Sequence, residues 1–253
     1  MASDEKPLVY LILGAAGSGR RTVVADLIDG GLGEGDRPAV LLSADEAPAE
    51  IDAKLPNVTR WTWTLAQSIE ATLPPEATHV FFFTDGRRDP VDQVEAFKNW
   101  VELQPVELGR VLCVINCQLV EKNPPLRAWY EACVHFSDVA LLNRREGVEN
   151  KWLSDFRAFF DDQYVPCLFE FVKAGRLKNP ALILDPQARR MTHIFDDELE
   201  WLVVDEEGEE EKEEDAPEGE EEVEVTREED PYFARDAAGR RVKRLPDVAQ
   251  YLA

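Results

Sequence analysis

The chain has 253 residues, 44% of them hydrophobic, so it is long enough to bury the core of one large domain or of two small ones. Its formal net charge of −23 argues against attraction to nucleic acid or to an anionic membrane. It has no apolar run long enough to span a membrane, and its first residues lack the basic and apolar regions of a signal peptide. Four cysteines, three of them in apolar segments, predict buried thiols. We therefore expect a cytoplasmic protein whose partners include neither nucleic acid nor a membrane.

Apolar runs alternate with helical patterns over the first two hundred residues. In chain order the predicted elements are strand 8–13, helix 20–29, strand 38–42, strand 58–63, helix 64–72, strand 79–83, helix 90–103, strand 110–116, helix 124–134, strand 138–142, helix 149–160 and strand 165–171. The nearly continuous apolar runs at 80–83 and 111–115 are typical of strands that are covered on both faces. The pattern predicts an α/β fold with a mostly parallel sheet flanked by helices.

The composition changes after residue 200. Residues 205–230 hold seventeen acidic residues against Lys212 and Arg227, a net charge of −15 that leaves −8 for the rest of the chain. Because such a tract repels itself and offers little apolar area, we expect an acidic disordered linker. Residues 231–253 are basic in the middle and apolar at both ends, which fits either an unstructured tail or a short docking segment. The predicted organisation is a domain at 1–204, the linker, and a C-terminal segment that docks on this domain or on a protein partner.

The most informative stretch is the glycine loop, Gly14–Thr22, with the sequence GAAGSGRRT. It follows the apolar run 8–13 and precedes a helical pattern, which is the context in which such a motif holds phosphate. Its glycines let backbone N–H groups close around phosphate oxygens, and the helix N-terminus adds the positive end of its dipole. The alternative is a glycine-rich turn that only joins a strand to a helix.

Two positions of the glycine loop depart from the chemistry of phosphoryl transfer. A working loop carries Lys for the terminal phosphates and then Ser or Thr for magnesium, where this chain has Arg20 and Arg21. Thr22 comes one residue too late. A guanidinium keeps the positive charge, but it lacks the compact shape of an ammonium group and has no acceptor for a metal. We therefore expect a weak GTPase at most, and we do not expect magnesium as a cofactor.

Several segments, in order, resemble the CobW-type GTPases, relatives of the nickel-chaperone GTPases, over about residues 7–175. The glycines of the glycine loop match the GxxGxGKTT loop of that family. Residues 40–52 (VLLSADEAPAEID) are similar to its NEFGE…ID segment, and residues 83–90 (FTDGRRDP) to its ETTGLADP segment. Residues 143–146 (NRRE) resemble its guanine motif, NKxD. The resemblance implies a P-loop NTPase-like fold with GTP as the bound nucleotide.

The chain departs from that family at its metal and base sites. The metal-binding Cys-x-Cys-Cys of the family falls about where residues 61–64 read WTWT, and we expect these indoles to pack rather than to bind a metal. Phe83 replaces a carboxylate that the resemblance implies near magnesium. The resemblance also implies that Asn143 contacts the base and that Glu146 replaces an Asp that accepts two hydrogen bonds from guanine.

Three aspartates, Asp45, Asp85 and Asp89, remain as acids that could recruit a metal, although loop aspartates more often cap helices or face water. Asp89 directly precedes Pro90 and fits a helix cap, whereas Asp85 follows a buried strand and is expected to face the crevice beside the glycine loop. We predict no metal ligands and leave the catalytic residues unassigned. The predicted nucleotide-binding residues are Gly14, Gly17, Ser18, Gly19, Arg20, Arg21, Thr22, Asp85, Asn143 and Glu146.

Three functions fit these observations. The first is a P-loop nucleotide-binding protein resembling CobW-type GTPases, which binds GTP or a related nucleotide with slow or no hydrolysis. The second is a pseudo-GTPase that acts as a non-catalytic binding or scaffold protein. The third is a small-molecule kinase. The order of the motifs favours the first function, and the altered loop residues argue against catalysis.

Overall fold

The computed structural model describes residues 6–64, 66–196 and 230–252, and its centre is a sheet of eight strands. In chain order the strands are β1 Leu8–Leu13, β2 Pro38–Ser43, β3 Val58–Trp63, β4 Ile69–Glu70, β5 His79–Phe83, β6 Glu107–Asn116, β7 Val139–Asn143 and β8 Leu168–Phe171. Their order across the sheet is β4-β3-β2-β5-β1-β6-β7-β8. All neighbouring strands run parallel except the antiparallel pair β3 and β4. The predicted α/β fold with a mostly parallel sheet is confirmed.

Helices cover both faces of this sheet. They are α1 Arg20–Gly31, α2 Pro90–Val101, α3 Cys117–Lys122, α4 Leu126–His135, α5 Asn150–Asp161 and α6 Pro180–Leu184, with 3-10 turns at Glu50–Lys54 and Val248–Tyr251. Side chains alternate along β1: Val9 and Leu11 belong to the apolar cluster that contains α2, α4 and α5. Tyr10 and Ile12 belong to the cluster that contains α1 and α6. Strands buried on both faces explain the continuous apolar runs in the sequence.

The predicted helix at 64–72 is wrong, because the chain turns back there into a hairpin. Gln67 has a φ angle of 59°, which a helix does not allow. The N–H of Thr64 donates to the carbonyl of Ser68 at 2.9 Å, and the two hydroxyls are 2.6 Å apart. Residues Ile69–Glu70 then pair antiparallel with the end of β3. Side-chain bonds of Ser and Thr to the nearby backbone stabilise this turn against the helix.

The four cysteines are all free and buried, as predicted. Burial raises the pKa of the Cys117 thiol to about 12, so it stays protonated at neutral pH. Within the described ranges, no helix is long and apolar enough to cross a membrane.

Residues 230–252, here called the C-terminal segment, lie against α2 and α4. Tyr232 and Val248 are buried in the same apolar cluster as those helices. The guanidinium of Arg241 donates to Asp92 at 2.8 Å and to Glu95 at 2.6 Å, both on α2. Apolar anchors and ion pairs therefore both hold the segment on these helices.

Asp230 holds one end of the C-terminal segment. Its Oδ2 atom lies 2.7 Å from Nε2 of His135 on α4. Burial alone would raise the pKa of Asp230, but hydrogen bonds from His135, Thr192 and the Tyr232 N–H together hold it below its ordinary value. The predicted acidic linker lies outside the described residues except for Asp230. The division of the chain into three units stays a prediction.

Candidate functional site

The glycine loop connects β1 to α1 at the carboxyl edge of the parallel strands, as the sequence predicts. Its three glycines have φ angles of 130° at Gly14, 78° at Gly17 and 87° at Gly19, a backbone that side chains disfavour. Space is also restricted: a Cβ on Gly14 would lie 2.4 Å from the carbonyl oxygen of Val114. The loop therefore has a tight backbone that glycine adopts with less strain than any other residue.

Arg20 occupies the position of the phosphate-binding Lys and turns into the protein. Its side chain is 4% exposed, and Nη1 donates to the carbonyl of Thr84 at 2.6 Å. Nη2 forms an ion pair with Oε1 of Glu46. Both ends of this guanidinium are thus bound by protein acceptors.

Arg21 occupies the position of the magnesium-binding hydroxyl and binds two carboxylates. Nη2 lies 2.9 Å from Oε2 of Glu46, and Nη1 lies 2.8 Å from Oδ1 of Asp52. Asp52 in turn accepts from Arg60 of β3 at 3.2 Å. Together with Arg20 these residues form one arginine–carboxylate network, which joins α1 to the segment that follows β2.

Glu46 is the centre of the arginine–carboxylate network. Its Oε1 also accepts the N–H of Gly86 at 2.9 Å. Burial alone would raise the pKa of Glu46, but the charge of Arg20, the Gly86 N–H and the bond and charge of Arg21 hold it below its ordinary value. The ionised form of Glu46 is therefore the one that the folded protein stabilises.

The segment after β5 rests directly on the glycine loop. The carbonyl of Gly86 accepts the N–H of Ala16 at 2.8 Å. A Cβ on Gly86 would lie 2.3 Å from that nitrogen and 2.6 Å from Nη2 of Arg20, so no side chain fits. Two backbone groups of one residue thus bind both Glu46 and the loop.

Other groups of the glycine loop also have partners inside the protein. The N–H of Ser18 donates to the carbonyl of Ala15 at 3.1 Å. The hydroxyl of Ser18 is fully buried and has no hydrogen-bond partner within the described part of the chain. The loop keeps its shape through internal bonds as well as through its glycines.

The base-site residues have different surroundings. Asn143 is buried and its Nδ2 donates to the carbonyl of Ser18 at 2.8 Å, which ties the end of β7 to the glycine loop. Glu146 is exposed, and its carbonyl accepts from the Gln118 amide at 2.5 Å. Thr22 is also exposed, on the first turn of α1. The structure therefore connects Asn143 to the loop but, among the described residues, shows no hydrogen bond from Glu146 to it.

The loop aspartates are engaged by neighbours. Asp85 is buried and accepts from Nε of Arg88 at 3.1 Å, and the same guanidinium donates to Asp45 at 2.9 Å. Asp89 accepts the N–H of Val91 at 2.8 Å and caps α2, as predicted. The carboxylate of Asp85 is thus bound by its own turn rather than by the glycine loop.

The aromatic residues of β3 pack, as predicted. Trp61 is buried, donates its indole N–H to the carbonyl of Phe83 at 2.8 Å and stacks on Phe82 with ring centroids 5.1 Å apart. Among the described residues, no group of three or more His, Cys, Asp or Glu is arranged to hold a metal ion. Magnesium does not fit beside the glycine loop, since Arg21 brings a guanidinium where a hydroxyl ligand is needed.

Sequence reasoning missed the partners of the two loop arginines. A buried guanidinium needs an anion, so Arg20 and Arg21 by themselves signal that carboxylates lie nearby. Residues 44–52, directly after β2, contain four acids, and this signal could have identified Glu46 and Asp52. Gly86 offers no comparable signal, because its role depends on the packing of two loops.

No protein-family model matches the chain, and no curated protein matches it. Solved structures that resemble it include Zn(II)-bound YjiA GTPase from E. coli and a Zn(II)-bound triple mutant of YjiA GTPase. Each match covers 73% of this chain and 67% of the other at 13% sequence identity, with a TM-score of 0.42. The parallel α/β fold stands on the strand pairing itself.

Proposed function

We propose that this chain is a pseudo-GTPase, a non-catalytic binding protein built on a P-loop nucleotide-binding type of fold. The observation that carries the proposal is that Glu46 bridges Arg20 and Arg21 inside the glycine loop. An internal carboxylate thus pairs with the positive charges that a nucleotide phosphate would need to bind.

The energetics favour this closed arrangement over phosphate binding. Phosphoryl transfer depends on free positive charge and a metal around the transferred group. Here an incoming phosphate must break charge-assisted bonds from both arginines and expel Glu46. A tethered carboxylate competes at an effective concentration on the order of millimolar, so a weakly bound anion does not replace it.

Nucleotide binding with slow or no hydrolysis is the second candidate, and the backbone favours it. Gly14, Gly17 and Gly19 keep the left-handed angles of an anion-binding turn. In this candidate GTP or a related nucleotide displaces Glu46, and Asn143 exchanges its bond to the loop for a contact with the base. Bound magnesium would supply charge neutralisation, but the loop position where its hydroxyl ligand is expected holds the guanidinium of Arg21.

Thermal unfolding with nucleotides separates the two candidates. A ligand at a hundred times its Kd stabilises the folded state by about 2.7 kcal/mol, or about 5–11 °C of Tm in a chain of this size. We expect GTP, GDP and ATP at millimolar concentration to shift the Tm by less than a degree, with magnesium or with a chelator. A Tm shift of several degrees with GTP, but not with the other nucleotides, would establish the second candidate. Sustained GTP hydrolysis would overturn the pseudo-GTPase proposal.

A further inference from the structure

The last strand of the sheet, β8, has one side without a partner strand. The N–H groups of Leu168 and Val172 donate to carbonyls of Asp138 and Leu142, both at 2.9 Å, so alternate backbone groups point towards β7. The groups of the residues between them point the other way. Within the described ranges, these outward groups have no backbone hydrogen-bond partner. A sheet edge of this kind can accept another extended segment.

An exposed aromatic ring lies on this edge between two arginines. Phe171 is 39% exposed, with the guanidinium of Arg145 4.5 Å from its ring centroid and that of Arg157 5.7 Å away. Arg145 is held in place by two bonds to the carbonyl of Val172, at 3.1 and 3.3 Å. The Nε of Arg157 is buried and has no partner in the described part of the chain. The edge therefore carries a partly exposed aromatic ring with two guanidinium groups close to it.

Four cationic side chains lie at or next to this edge, which also carries Glu170 of β8. Lys173 and Arg176 are exposed in the tight turn that follows β8, where their backbones pair at 2.9 Å. Neither they nor Arg145 and Arg157 form an ion pair with any described acid, although the chain carries 51 acidic residues. We call Arg145, Arg157, Phe171, Lys173 and Arg176 the β8 surface.

We propose that the β8 surface binds an acidic, extended segment of a partner protein. The segment adds to the sheet beside β8 through backbone hydrogen bonds, and its carboxylates pair with the arginines and lysine. Positive charge alone would protect an edge from aggregation, but protection gives no reason for an exposed ring between the cations. Four strand residues span about 13 Å, so a segment of four to six residues is sufficient.

Fluorescence anisotropy with a labelled peptide tests the proposal on the full chain. The probe is the peptide VEVEVE, measured in about 50 mM and about 500 mM NaCl, with VKVKVK as the peptide control. We expect binding of VEVEVE only, weakened at the higher salt concentration. Replacing Arg157→Glu and Lys173→Glu together should lower the affinity about tenfold or more. The matched control, Lys6→Glu with Lys54→Glu, makes the same change in net charge away from β8 and should leave the affinity unchanged.

Other outcomes would overturn the proposal. Equal affinity of the two double variants would show that net charge alone attracts the peptide. Equal affinity of a peptide whose alternate amides are methylated would rule out addition to the sheet edge. A dimer that only the Arg157→Glu, Lys173→Glu variant abolishes would identify a second copy as the occupant instead. The result does not depend on whether the glycine loop binds a nucleotide, so it stands apart from the proposed function.

Discussion

Replacing Glu46 with Gln tests whether the arginine–carboxylate network holds the glycine loop closed. The amide keeps nearly the same shape and still accepts the N–H of Gly86, but it removes the negative charge between Arg20 and Arg21. Arg21 keeps Asp52 as a partner, whereas Arg20 keeps only neutral acceptors at Thr84. We therefore expect the loss of stability to come mainly from Arg20.

The size of the loss follows from burial. The side chains of Arg20 and Glu46 are 4% and 10% exposed, and removing one partner of such a buried pair costs about 3–5 kcal/mol. Because Gln keeps one hydrogen bond, we expect the lower end, about 3 kcal/mol. In a chain of this size each kcal/mol lowers the Tm by about 2–4 °C, so the variant should unfold about 6–12 °C below the wild type.

Thermal unfolding followed by circular dichroism measures this difference. Asp45→Asn is the matched control: it also removes an acid that pairs with an arginine, but the side chains of Asp45 and Arg88 are 55% and 41% exposed. Such a pair contributes less than about 1 kcal/mol. Inorganic phosphate should raise the Tm of Glu46→Gln more than that of the wild type, because it supplies the missing anion. A Tm within about 2 °C of the wild type, with no response to phosphate, would refute the reasoning.

Three further predictions concern the arginine–carboxylate network and the C-terminal segment. First, the pKa of Glu46 is held below its ordinary 4.5, so the ionised form stabilises the fold above that pH. This contribution falls as the pH drops through the lowered pKa. The Tm difference between wild type and Glu46→Gln should therefore shrink from about pH 6 to about pH 3. Second, the double variant Arg20→Lys, Arg21→Thr should show no GTP binding in calorimetry, because the Glu46 carboxylate binds the new lysine. Adding Glu46→Gln should allow GTP to bind. A gain in GTP binding by the double variant alone would count against the closed loop. Third, Tyr232→Ala should lower the free energy of unfolding in urea by about 3 kcal/mol, because Tyr232 is buried. Arg241→Ala should lower it by about 1 kcal/mol, because the carboxylates that pair with Arg241 are largely exposed. Equal losses would show that ion pairs hold the C-terminal segment as strongly as apolar contacts do.

The fold could be predicted because its signals are local. The central strands β1, β2, β5, β6 and β7 each contain an apolar run. The strand, glycine and helix order around residue 14 places the glycine loop at the carboxyl edge. The hairpin at 64–70 was not predictable from periodicity, since one residue with a positive φ and two hydroxyl groups decide it. Local bonds of this kind leave the hydrophobic pattern unchanged.

The candidate site could be predicted only in part. The glycine loop and its two arginines follow from the motif, but their partners come from segments about 25 to 65 residues away. The resemblance assigned Asn143 to a base, whereas the structure shows its amide bound to the backbone of Ser18. Whether the Asn143 amide binds a base or the Ser18 carbonyl depends on the distance between two loops. A single sequence does not give that distance.

Gly86 has a consequence for how this part of the protein responds to substitution. Its N–H binds Glu46 and its carbonyl binds Ala16, so neighbouring groups of the same residue face a side-chain anion and the backbone of the glycine loop. A methyl group at this position would overlap the nitrogen of Ala16, so even alanine separates the two loops. A substitution at residue 86 would therefore change both the electrostatic environment of Arg20 and the shape of the glycine loop. Neither property can change at this position without the other.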